Sequence, residues 1–147
     1  MNRLFALASL GFSMSIANAA SFLISPQEML ASNNAPVTFT AKALPVKDAP
    51  LIYLVTPQLG APIASPTPIE LKFESIQPSK VKVETFKVLY GAFQIDITKR
   101  ILGVAAMTQQ GVQVREANLP AGKHKLTVIL EDSEGRVGEK QIEFEVR

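Results

Sequence analysis

From Leu51 onward, apolar residues occupy alternate positions in short runs separated by proline, glycine or polar turns. In "IELKFES", Ile69, Leu71 and Phe73 share one face while Glu70, Lys72 and Glu74 take the other. A period of two with one polar face marks a half-buried antiparallel strand. Leu51–Val55 is rich in β-formers and is bracketed by Pro50 and by Thr56-Pro57. In "VKVETFKVLYG", Val81 and Val83 are one residue out of phase with Phe86, Val88 and Tyr90. A strand that slips by one residue turns its apolar set outward, so the phase break predicts a bulge near Glu84-Thr85. "FQIDI" predicts a strand with Phe93, Ile95 and Ile97 on one face, then a helical turn from Thr98 that Gly103 ends. Val112 and Val114 mark the next strand. Leu126, Val128 and Leu130, then Ile142, Phe144 and Val146, mark the clearest two. The helical stretches that a parallel sheet needs between strands are missing, and the expected fold is an all-β antiparallel sandwich of about seven strands.

The pattern changes upstream of Leu51. Residues 20–50 hold small residues and prolines without a sustained period, which predicts an irregular N-terminal arm. Within it, Ser25-Pro26-Gln27-Glu28 carries a helix start: a capping serine, a proline at the first helical position and a glutamate able to reach back. Phe22, Leu23, Ile24, Met29 and Leu30 are the arm's apolar residues and its candidate partner-binding set, since exposed apolar groups gain energy only when covered. The other reading of these residues is a mobile arm or a strap lying over the sandwich. Residues 1–19 read as a cleavable signal peptide, with Arg3, an apolar run from Leu4 to Ile16 and Ala17-Asn18-Ala19. That run falls short of the roughly 20 apolar residues of a transmembrane helix, so the expectation is a periplasmic or secreted protein with no membrane insertion after processing. The three segments are thus 1–19, 20–50 and 51–147.

Composition narrows the chemistry. The chain has no cysteine, which removes disulfides, thiolate metal sites and a cysteine nucleophile. With 15 basic and 13 acidic side chains and no basic cluster, it has no electrostatic footprint for nucleic acid. The single histidine, His124, falls on the inner phase with Leu126, Val128 and Leu130, and no G-x-S-x-G elbow accompanies it. Glu70, Glu74, Glu84, Glu131, Glu143 and Glu145 mostly alternate with apolar residues, as on solvated strand faces. Asp96 stands where a carboxylate would cap the helical turn at Thr98. The acidic run Asp132-Ser133-Glu134-Gly135 has turn chemistry, and Arg136 brings positive charge to where a calcium ion would sit. No phosphate loop, zinc spacing or dinucleotide fingerprint occurs. The expectation is therefore no catalytic residue, no metal site and no cofactor.

The run "LPAGKHKLTVILEDSEGRVGEKQIEFEV" resembles the closing hairpin of bacterial exported immunoglobulin-like and fibronectin-type modules, and "PIELKFES" resembles one of their early strands. Without tryptophan or a cysteine pair, the antibody-type core is excluded. The resemblance implies an immunoglobulin-like β-sandwich and a binding or spacer module, not an enzyme. The leading expectation is an exported non-enzymatic module that binds another envelope or secreted protein, or acts as an accessory subunit, through its edge strands and N-terminal arm. The alternative is a glycan- or small-ligand-binding module using the loops at one end of the sandwich.

Overall fold

The computed structural model describes residues 21–37 and 44–147; the signal-peptide expectation for residues 1–19 lies outside them. Among the described residues, eight strands form two four-stranded antiparallel sheets. The first sheet has the order β1 (Leu51–Thr56), β2 (Thr67–Glu74), β6 (Gly111–Ala117), β5 (Ala105–Thr108). The second has the order β4 (Ile95–Asp96), β3 (Val81–Tyr90), β7 (Gly122–Asp132), β8 (Val137–Val146). This is the strand order of the constant-type immunoglobulin sandwich, with the two-residue β4 added outside the third strand.

The alternating residues fill the space between the sheets. Leu71, Phe73, Val112 and Val114 of the first sheet are buried, as are Phe86, Val88, Leu126, Val128 and Leu130 of the second. Phe73 and Phe86 meet across the layers with ring centroids 5.8 Å apart. The phase break in β3 is a bulge. Pairing with β7 shifts between Lys82 and Lys87. Thr85 occupies the gap: its hydroxyl donates to the Lys82 carbonyl (2.6 Å) and accepts from the Glu131 amide (2.9 Å). Both sides of the bulge thereby keep their apolar residues inward.

Two expectations are corrected. Phe93 does not join an inner face; it is 61% exposed in the turn before β4. Gly91 (φ +67°) and Gln94 (φ +52°) bend the chain there, so extended pairing resumes only at Ile95. Ile97 still reaches the core, and the expected helical turn follows as α2 (Thr98–Leu102), with Gly103 as its C-cap. The N-terminal arm is not irregular throughout. It contains α1 (Pro26–Asn33), and Leu23, Ile24 and Met29 belong to the hydrophobic core. The strap alternative describes these residues. α1 lies against Gly91 and Gly122, where any Cβ would collide with Ser32 or with Met29. The Ala92 amide donates to Ser32 Oγ (3.0 Å), and the Leu23 amide to the Asn118 carbonyl (3.1 Å).

Candidate binding cleft

The sequence start signal for α1 is realised as a full capping box. Ser25 Oγ accepts from the Glu28 amide (3.2 Å), and Glu28 Oε2 accepts from the Ser25 amide (2.8 Å). Glu28 has a second task. Its two carboxylate oxygens accept from the two terminal nitrogens of Arg100, each at 2.9 Å, a bidentate fork. Arg100 also donates to the Leu23 carbonyl (3.3 Å). α2 can hold Arg100 there because it is anchored to the second sheet. Thr98 Oγ1 accepts from the Val88 amide (2.9 Å), and Asp96 Oδ1 accepts from the Thr98 amide (2.9 Å); the N-cap position itself is Ile97, one residue later than expected for a capping carboxylate, and has no side-chain cap.

Between α1 and α2 opens a cleft of about 540 Å³ lined by Ser21, Phe22, Leu23, Ser25, Glu28, Arg100 and Val104. Phe22 is 44% exposed and Val104 56%, so both are apolar lips with room for a partner. The charges in the wall are already spent on each other. The Arg100 hydrogen bonds, set against burial and aided by the Ser25 amide, hold the Glu28 carboxyl at about 2, and Glu28 in turn raises Arg100. Both groups stay ionised at neutral pH, and their opposite charges offer little net field to an ionic ligand.

Arg100→Ala is expected to cost about 1 kcal/mol, because the pair is half in water and screened. A carboxylate with a lowered folded-state pKa stabilises above its unfolded value and loses that contribution as it protonates. The gap between wild type and Arg100→Ala in urea unfolding should therefore be full above pH 4.5 and shrink as the pH falls toward about 2.

Of the five candidate contact residues, the structure leaves two available. Phe22 lines the cleft, and Leu30 is exposed on α1. Leu23 (6% exposed), Ile24 (1%) and Met29 (7%) are core residues, so in this fold they cannot be a docking surface without unfolding the strap. Arg100 and Val104 carried no sequence signal for the cleft. Arg100 lies 72 residues from Glu28, and only the fold brings the two together.

His124 is buried at 3% exposure and faces no serine. Its Nε2 lies 2.8 Å from the Pro120 carbonyl, which can only accept, so Nε2 carries the proton. Nδ1 then accepts from the Tyr90 hydroxyl at 3.0 Å. Burial pushes the Tyr90 phenol up to about 12, with the Glu28 charge adding to it, and keeps His124 below its ordinary value. A neutral imidazole and a neutral phenol bonded to each other inside the sandwich hold two strands in register. They form no activated nucleophile.

The Asp132 turn is closed by its own residues. Asp132 Oδ1 accepts from the amides of Glu134 and Arg136, both at 2.9 Å, and Oδ2 from Arg136 Nε at 2.7 Å. Burial raises the Asp132 carboxyl, but these donors outweigh it and leave it below its ordinary value. A calcium ion would have to displace Arg136. Addition of calcium is accordingly expected to leave the melting temperature unchanged, and a rise would show that the turn binds it. Among the described residues no group of three His, Asp or Glu side chains is placed to hold a metal. No described helix is long and apolar enough to cross a membrane.

No family model matches the chain, and no curated protein sequence does either. Among solved structures, CopC from Methylosinus trichosporium OB3b is similar, with a TM-score of 0.43 and 18% identity over 65% of this chain and 93% of that one.

Proposed function

We propose that this protein is an exported, non-enzymatic accessory module that docks another envelope protein, with the cleft between α1 and α2 as its contact site. The observation that carries the reading is the pair of exposed apolar lips, Phe22 and Val104, beside a salt bridge that is already satisfied. Such a cleft favours an apolar side chain or short apolar segment over an ion, because covering Phe22 and Val104 is the largest gain on offer. The buried His124–Tyr90 pair and the self-satisfied Asp132 turn support a role without chemistry at either place.

A photo-reactive amino acid at Phe22, introduced into the protein in its native envelope, is expected to give one discrete adduct with another envelope protein. Val104→Asp should abolish that adduct, while the same label at exposed Lys123 should give none. Equal labelling from both positions would reject the cleft as the contact site.

A second reading has one observation of its own. The outer face of the first sheet holds a shallow groove of about 330 Å³ bordered by Glu70, Lys72, Thr108, Gln110 and Gln113, polar groups of the kind that bind sugar hydroxyls. That face lies on the flank of the sandwich instead of at its end loops. A melting temperature that rises with one class of oligosaccharide and ignores the others would favour it.

A further inference from the structure

The alternation that buries Leu71, Val112 and Val114 turns Glu70, Lys72, Thr108 and Gln113 outward, onto the flank of the first sheet. Register sets the outward residues in two rows across the strands. One row is Tyr53, Lys72, Gly111, Thr108, from β1 to β5; the other is Glu70, Gln113, Ala106. Gly111 leaves a gap between Lys72 and Thr108. The close approach of β2 keeps that gap open, because a Cβ at this position would collide with the Leu71 carbonyl. Ala106 leaves a second low point beside Gln113. Together they make the trough of about 330 Å³, with Gln110 at its end.

We infer that this trough takes a neutral, extended oligosaccharide lying across the strands, with Tyr53 as its stacking platform, an assignment that rests on the glycan reading of the same groove. The walls have the chemistry of a polyol site. Gln110 and Gln113 each present an amide donor and an acceptor, Thr108 a hydroxyl, Lys72 a donor and Glu70 an acceptor. Neighbouring hydroxyls on a sugar ring call for this mixture. Glu70 and Lys72 carry opposite charges side by side, so the trough offers little net field to an anion or a cation.

Tyr53 lengthens the site beyond the trough. It stands next to Lys72 in the first row and is 43% exposed. The C–H face of a sugar ring gains by covering an aromatic ring. Tyr53 and Gly111 lie on strands two spacings apart, about 9.5 Å. One strand spacing is close to the length of one ring in an extended chain, so successive rings fall on successive strands. A curled chain would leave the flat sheet after a ring or two. One face of the ligand stays in water, and half-saturation is therefore expected at about 0.1–1 mM.

Backbone amide shifts of the protein, followed during titration with cellohexaose and separately with chitohexaose, test this. Either ribbon is expected to move the amides of Lys72, Ala106, Thr108, Gly111 and Gln113. Tyr53→Ala and Gln113→Ala should each weaken binding roughly five- to tenfold, the loss of one stacking contact or one hydrogen bond. Both side chains are exposed, so circular dichroism should confirm that the variants stay folded. Lys123→Ala, on the other sheet, should leave the affinity unchanged. Maltohexaose, which curls, and hexagalacturonate, which is anionic, should bind more weakly than the two ribbons. Equal or tighter binding of either would overturn the extended, neutral class, and binding that neither variant weakens would overturn the site. Shifts confined to the end loops would reject this trough while leaving a glycan role in place, whereas no shift with any of the four sugars at about 10 mM would reject both. The cleft between α1 and α2 is tested separately, by the label at Phe22.

Discussion

Ile24→Ala is expected to lower the unfolding free energy by about 2–4 kcal/mol, the cost of emptying a large aliphatic site in a packed core. Ile24 is 1% exposed and shares the core with Leu23 and Met29. Its surroundings are also tied at the backbone, through the Leu23 amide to Asn118 and the Leu23 carbonyl to Arg100. Leu30→Ala, on the same short helix but 54% exposed, should change stability by less than about 0.5 kcal/mol. Urea unfolding of the two variants separates a strap built into the core from a loose arm, because in a loose arm neither substitution would matter.

His124→Ala should cost about 3 kcal/mol, from two sources. The stack on Phe144, with ring centroids 5.3 Å apart and planes 20° from parallel, would be replaced by a cavity. The Tyr90 hydroxyl and the Pro120 carbonyl would also be left without their partner in a dry site, worth about 1–3 kcal/mol. The wild type carries a pH signature as well. Burial lowers the pKa of His124, with the Pro120 carbonyl opposing it in part. The unfolded chain therefore takes up a proton near 6.5, before the folded chain does. Stability from this residue is fully present above that pH and declines as pH falls toward the folded-state value. Lys123, Lys125, Glu143 and Glu145 border the same spot, so the comparison must be made against the variant at each pH. Between pH 7 and 5 the wild type should lose more stability than His124→Ala. Parallel losses would mean that the imidazole is not held neutral.

Most of the sandwich could be read in the sequence because its signals are local. Ile69, Leu71 and Phe73 alternate on one strand; Val83 and Phe86 reveal the bulge by being out of step; Asp132 and Gly135 supply the turn before β8. β5 escaped because Ala105-Ala106-Met107-Thr108 has too little apolar contrast to show a period, and it forms by pairing with β6. Phe93 misled because an apolar residue in phase with Ile95 and Ile97 says nothing about the positive φ of Gln94 between them. The cleft was half legible. The Ser25–Glu28 capping box is a signal within four consecutive residues, whereas the Arg100 fork and the Val104 lip depend on contacts distant in sequence. The apolar residues of the arm were recognised, but burial and exposure cannot be told apart where no periodicity shows which side faces the core.

The cleft exists only if the N-terminal segment is part of the folded sandwich and forms one of its walls. Hydrogen exchange of the protein, followed residue by residue, tests this directly. The amides of Leu23, Met29 and Asn34, which donate to Asn118, Ser25 and Leu30, should be protected well beyond random-coil rates. Leu23 and Met29 should open in concert with the β7 amides. Exchange of all three at the rate of an unstructured chain, with β7 still protected, would show that the segment is not part of the folded sandwich.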